Sequence, residues 1–274
     1  MKFSAALFSF LGLASAACHH NTDLYRRQTP SVSYSYTGET GPENWGTLAA
    51  EFALCSDGTQ QSPIALQKSS AKPGCNLLQL TGPTKEIATL ENIKDTLQVS
   101  GSNVTLATAA NKDSRPNAPD APKHTLAQFH FHTPSEHIID GESKPLEVHF
   151  VFQDEQARLT VVGIMIDVAS GNQRPSTFLE NAFVNVDQVT TNGLKAPTGN
   201  LDYTEIKNLL QGGIMQYAGS LTTPPCAEGV AWNVASQNLF VSQATYDKVR
   251  SIMKFNARPI QGTQTVAAAK PTGY

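Results

Sequence analysis

Charge is sparse in this 274-residue chain and nearly cancels: 20 Lys and Arg stand against 23 Asp and Glu, 16% in all, for a net −3. With no basic patch there is no electrostatic footprint for a polyanion, so nucleic acid is not an expected partner. Long apolar runs are also missing. The N-terminal stretch Ala5 to Leu13 falls well short of the roughly 20 residues that cross a bilayer, so no membrane anchor is expected. No internal repeat is present, and low complexity is confined to a Thr/Ala-rich tail. His-Glu-x-x-His and Gly-x-Ser-x-Gly are absent as well, which argues against the common zinc-protease and serine-esterase designs.

What is present fits one β-rich domain. The length suffices for a single large core, and 19 Gly and 16 Pro suit many short strands joined by turns. Lys2, the apolar run after it and the small residues Ala14-Ser-Ala16 or Ser15-Ala-Ala17 read as a signal peptide over 1–17. The expected destination is therefore extracellular, where disulfides persist. Arg26-Arg27 is a dibasic pair; cleavage there makes 18–27 a propeptide and leaves 28–274 as the mature domain. Asn103-Val-Thr105 is the only glycosylation sequon, with Asn103 as acceptor.

The cysteines are Cys18, Cys55, Cys75 and Cys226. Cut after the leader, the chain keeps all four and two bridges are open to it. Cut at the dibasic pair, it loses Cys18 and one thiol is left over. A homodimer tied through Cys75 is one form that outcome would take. Spacing alone leaves the pairing open.

Along the chain, residues 31–62 read as a wrapping segment pinned by aromatics such as Tyr34, Tyr36 and Trp45. Short strands are expected over 77–80, 87–90, 96–99 and 103–106, followed by a polar Pro-rich loop over 109–123. Leu146 to Phe152, Leu159 to Val168, Ile214 to Ser220, Ala231 to Ala235 and Leu239 to Val241 read as further strands. Helices are expected over 176–185, with Leu179, Phe183 and Val184 on one side, and over 202–210. A third is expected over 242–253, with Ala244, Val249, Ile252 and Met253 buried.

The chemistry concentrates in Gln128-Phe-His-Phe-His-Thr-Pro-Ser-Glu-His137 and Glu147-Val-His-Phe-Val151. In a strand, positions i and i+2 share a face, so His130 and His132 project together while Phe129 and Phe131 point away. If the next strand pairs with this one, His149 joins them. Three imidazoles with an open fourth position describe a catalytic zinc site better than a structural one. Copper and nickel also accept imidazole, but copper centres more often recruit Cys or Met, and neither lies here. Gln128 and Glu147, each two residues before a histidine, are candidates to accept a ring N–H. Water in the open position would ionise near pH 7 and supply hydroxide for attack on an electrophilic carbon. A threonine of Gly219-Ser-Leu-Thr-Thr-Pro-Pro225 could orient that hydroxide; periodicity does not say which.

These blocks, together with Tyr36-x-Gly-x-x-Gly-Pro-x-x-Trp45, Gln61-Ser-Pro63 and Asn256-Ala-Arg-Pro259, resemble the signatures of the α-class carbonic anhydrases, in order and over about residues 34–262. The resemblance implies a mainly β domain with a central twisted, mostly antiparallel ten-stranded sheet and peripheral short helices. It implies reversible hydration of CO2 to bicarbonate and a proton by zinc-hydroxide attack, with one zinc per chain. His130, His132 and His149 match the ligands. Thr222 matches the threonine that accepts the hydroxide's hydrogen bond and donates its own proton to a buried carboxylate, which Glu136 matches. Gln128 and Glu147 match the partners of the ligand rings, and His137 a structural histidine. Val151, Val161, Leu221, Val230 and Trp232 match the CO2-holding wall, and Tyr36 a residue that orders water. Cys55 and Cys226 match the bridge of secreted members. At the proton-shuttle position, where fast members carry histidine, this chain has Asp95. The alternatives are a non-catalytic binding protein of the same fold, which would lack a zinc histidine, and a secreted zinc esterase.

Overall fold

β-Branched and aromatic residues fill the chain's longest apolar runs, and these become its longest strands. A computed structural model describes residues 32–74, 77–108 and 123–261. The expected leader over 1–17 and propeptide over 18–27, Cys18, Cys75, most of the Pro-rich loop and the tail from 262 lie outside the described residues.

The strands are β1 (Ala65–Leu66), β2 (Lys72–Pro73), β3 (Leu78–Thr81), β4 (Thr89–Asn92), β5 (Leu97–Ser100), β6 (Thr105–Thr108) and β7 (Lys123–His132). After them come β8 (Ile138–Ile139), β9 (Leu146–Gln153), β10 (Leu159–Val168), β11 (Lys195–Pro197), β12 (Gly213–Ser220), β13 (Glu228–Ala235) and β14 (Leu239–Val241). Twelve of them form one large twisted sheet whose main path runs β11-β4-β5-β7-β9-β10-β13-β12-β2. Its pairings are antiparallel except those of β10 with β13 and β14. The count exceeds ten because pieces as short as β2 and β11 join its margins.

The two faces of this sheet hold different cores. Phe129, Phe131, Val148, Phe150, Phe152 and Val162 belong to the larger cluster, closed by Phe178 and Leu179 of a helix over Thr177–Ala182. Val151, Val161, Val230 and Trp232 belong to a second cluster on the other face, the one the histidines share. A register shift between Leu126 and Gln128 makes this division possible. Strict alternation would put Leu126 on the histidine face. The extra residue lets Leu126 and Phe129 both enter the large core, and turns Gln128, His130 and His132 the other way.

Ser176 and Ser242 cap their helices, accepting from the Leu179 and Thr245 amides at 3.2 Å each. Three expectations fail at element ends. The first helix stops at Ala182, so Val184 leaves its face and is 56% exposed. Ala244 sits in the exposed first turn of Gln243–Met253, which buries Val249 and Met253. β4 begins at Thr89 rather than Ile87, and Ile87 is 63% exposed.

The wrapping segment is pinned as its aromatics suggest. Trp45 is fully buried, donates Nε1–H to the Ser35 and Thr40 carbonyls, and packs edge-on against Tyr34 and Tyr36. The Cys55–Cys226 disulfide then ties this segment to the loop after β12.

Candidate metal centre

Register brings the three histidines together. β7 pairs with β9 so that His130 lies directly opposite His149, and His132 opposite Glu147. One ring nitrogen from each of His130, His132 and His149 falls within 4.8 Å of the others. Neighbouring strands complete the surroundings: Val161 on β10 lies opposite both Val151 on β9 and Trp232 on β13. The Trp232 ring packs 4.8 Å from His149, and Leu221 and Val230 are buried in the same cluster.

Each ring has its second nitrogen fixed by an acceptor. His130 Nδ1 meets Gln128 Oε1 at 2.9 Å, His132 Nδ1 meets the Asn256 carbonyl at 2.8 Å, and His149 Nε2 meets Glu147 Oε1 at 2.8 Å. Donation there leaves lone pairs on His130 Nε2, His132 Nε2 and His149 Nδ1. His132 Nε2 is buried and has no hydrogen-bond partner, which in a folded protein calls for an explanation. Burial is the largest influence on all three rings and lowers their pKa values, that of His132 to about 4. They are therefore neutral at pH 7, the form that binds metal. Three neutral imidazoles, oriented from behind and with a buried nitrogen unsatisfied, fit a zinc ion.

Glu147 is the most heavily bonded group of the site. Its Oε1 accepts from both His149 and His137, the latter at 2.6 Å, and its Oε2 accepts the Glu136 and His137 amides at 2.9 Å each. Burial alone would raise its pKa, but the two histidines and these bonds prevail and hold it well below the ordinary carboxylate range. His137 is occupied on both sides: its Nε2 meets the Tyr217 hydroxyl at 2.7 Å, which also reaches Ser62 Oγ at 2.9 Å. Ser62 and Ser220 bond reciprocally, each amide to the other's hydroxyl, and lock the start of the Thr222 loop. Gly219 leaves no choice of residue there. A Cβ would lie 2.2 Å from Ser62 Oγ and 2.6 Å from the Tyr217 ring.

Glu136 is buried beside the three histidines, its Oε1 3.5 Å from His132 Nδ1 and accepting the Arg258 amide at 2.8 Å. Burial raises its pKa to about 7 against the opposing influence of His149, the Thr222 hydroxyl and that amide. Thr222 is itself buried and acts on this carboxylate, although no aligned bond closes onto Glu136 Oε2. Tyr36 is buried close by, with its pKa raised well above the ordinary range, chiefly by burial. Asp95, in the turn between β4 and β5, is partly buried; burial raises its pKa and Lys94 opposes this.

Four contributors have no signal in the strand periodicity. The Asn256 carbonyl holds His132, while the Asn256 amide bonds the Asp95 and Phe131 carbonyls and the Thr133 amide. Tyr217 and Ser62 buttress His137. Arg258 is buried and gives its guanidinium to Gln61 Oε1 and to the Ser62 and Cys55 carbonyls. No periodicity links residue 256 or 258 to a strand over a hundred residues earlier. Only the Asn256-Ala-Arg-Pro259 block carried a hint.

Comparison with known proteins points one way. Residues 40–266 match the family model for eukaryotic-type carbonic anhydrase. A carbonic anhydrase of Pectobacterium carotovorum is 34% identical over 237 residues, covering 85% of this chain and 88% of the relative. A solved fungal alpha carbonic anhydrase from Aspergillus oryzae is 36% identical with a TM-score of 0.75, over 84% of this chain and 94% of that one. An alpha carbonic anhydrase from Thermovibrio ammonificans, solved with the inhibitor sulfanilamide, is 30% identical with a TM-score of 0.70, over 86% and 98%.

Proposed function

Since the chain belongs to the eukaryotic-type (alpha) carbonic anhydrase family, we propose that it interconverts CO2 with bicarbonate and a proton, using one zinc ion held by His130, His132 and His149. The observation that carries the zinc reading is the buried, unpartnered His132 Nε2 beside the lone pairs of two further neutral imidazoles. Bound zinc would supply the Lewis acidity that makes hydroxide available near neutral pH.

The chain's own groups do the rest. Gln128, Glu147 and the Asn256 carbonyl hold the three rings in one tautomer each, so that no ring turns its N–H into the site. Thr222 Oγ1 acts as acceptor toward the attacking oxygen when its own proton is given to Glu136. Glu136 serves this role as a carboxylate, and the Arg258 amide on its Oε1 stabilises that form. Val151, Val161, Leu221, Val230 and Trp232 form an apolar wall on the histidine face of the sheet. That surface seats apolar CO2 and offers no donor to retain the anionic product. Tyr36 helps order water between the site and the rim, where Asp95 stands in the proton-exit position.

Secretion is part of the same reading. The N-terminal leader pattern supports it, as do the Cys55–Cys226 disulfide and the absence, among the described residues, of any helix long and apolar enough to cross a membrane. Glycosylation at Asn103, which is exposed, and a homodimer through Cys75 remain proposals for mass spectrometry and non-reducing electrophoresis. The central test is CO2 hydration with and without a zinc chelator, alongside His130→Ala. Activity should vanish on chelation, return with zinc, and be lost in the variant together with metal content. Full turnover in the metal-free chain would overturn the reading.

A further inference from the structure

Beyond the metal centre, the helix Gln243–Met253 ends in an unusual way. Lys254, not a glycine, takes a left-handed backbone (φ 58°, ψ −121°) that few side-chain-bearing residues adopt. The turn delivers Asn256 beneath His132 and leaves the Phe255 ring 50% exposed. Between the helix end and the loop at Thr133 and Pro134 lies an open cleft of about 680 Å³, lined also by Tyr246, Arg250, Lys254 and Phe255. Small-molecule sites span roughly 300–1,000 Å³, so the space is adequate.

The lining has a definite chemical character. Arg250 and Lys254 have no carboxylate partner among the described residues. Asp247 also borders the cleft, but it accepts from Gln243 Nε2 at 2.8 Å, and two cations against one carboxylate leave an excess of positive charge. Tyr246 packs against the large core, whereas Phe255 is half exposed and meets no other ring among the described residues, so its ring offers surface to a planar group. The carbonyl end of the helix disfavours an anion. Negative charge must therefore sit on the guanidinium, whose fork matches a carboxylate in a way that an ammonium does not.

We propose that this cleft is a binding site for a planar aromatic monocarboxylate, with the carboxylate on Arg250 and the ring against Phe255. The site is separate from the three histidines and does not depend on metal. Benzoate is the minimal probe, with an expected dissociation constant on the order of 1 mM for so small a ligand.

The test is a benzoate titration of the full-length 15N-labelled chain, zinc-loaded and again after chelation, followed by two-dimensional NMR. Saturable shifts at Thr133, Arg250 and Phe255 in both states are expected. Benzamide, which has the ring without the charge, should leave them in place. Arg250→Gln should weaken binding about tenfold or more, and Phe255→Ala should weaken it with the charge intact. Both side chains are exposed, so the variants keep the dispersed spectrum of the fold. No saturable change at the cleft, or a change that benzamide reproduces, overturns the proposal. So does unaltered affinity in both variants.

Discussion

At the residue scale the proposed chemistry turns on Thr222 and Glu136. Removing one group that orients charge in a buried active site costs on the order of 10²–10³ in rate. Thr222→Ala should therefore lower kcat/KM for CO2 hydration by about that factor while zinc content, read by atomic absorption, stays at one per chain. Loss of metal in that variant would show that Thr222 serves the fold instead. Asp95 invites a second measurement. An unperturbed aspartate titrates near 4, well below the pH at which a zinc enzyme must shed protons. Burial raises Asp95 from there and Lys94 opposes it, and the side chain at this position is a carboxylate rather than an imidazole. Turnover at saturating CO2 should thus climb with the concentration of an imidazole-type buffer; a flat response would mean that a route inside the protein suffices. The i, i+2 spacing of His130 and His132 and the position of His149 were legible in the chain, because strand geometry turns spacing directly into direction. The Asn256 carbonyl was not legible, because a backbone acceptor leaves no trace in residue identity.

At the scale of elements, the turn between β9 and β10 offers a stability test. Asp154 accepts the Gln156 and Arg158 amides at 3.0 and 2.8 Å and the Arg158 side chain at 2.6 Å. Burial would raise its pKa, yet these bonds outweigh burial and hold it below the ordinary value. A carboxylate depressed by folding contributes stability above its unfolded pKa of about 3.9 and loses it as pH falls through the folded value. Asp154→Asn should cost about 1 kcal/mol in urea unfolding at pH 7, and the gap to the parent should close as pH drops below about 4. A gap that persists at low pH would assign the loss to shape rather than charge. The long strands declared themselves through β-branched and aromatic runs. The register shift after Leu126 did not, although it keeps Leu126 and Phe129 in one core while the histidines face the other way. A bulge is settled by two cores competing for one strand, and local sequence does not record that contest. The misplaced ends at Ile87, Val184 and Ala244 have a similar origin: each apolar side chain lies at or just past a terminus, where periodicity no longer constrains burial.

At the scale of the whole molecule, the Cys55–Cys226 bridge spans 171 residues and joins the wrapping segment to the loop that carries Thr222. Closing so long a loop restricts the unfolded chain, worth about 2–5 kcal/mol. Reduction, or a paired Cys55→Ser and Cys226→Ser change, should lower unfolding stability by that amount. An unchanged urea midpoint would place the anchoring in the Arg258 and Trp45 contacts instead. The family resemblance, not the spacing of four cysteines, singled out this pairing. The margins of the sheet carry a different consequence. On β11 the Leu194 carbonyl and the Thr198 amide face β4, and on β2 the Gly74 amide faces β12, so Pro197 and Pro73 occupy the outward positions. An incoming strand would search there for an N–H and find a pyrrolidine ring. Each of these two ends of the main strand path thus lacks one donor that an incoming strand would need. Two imino acids, one at each end of that path, discourage further pairing there.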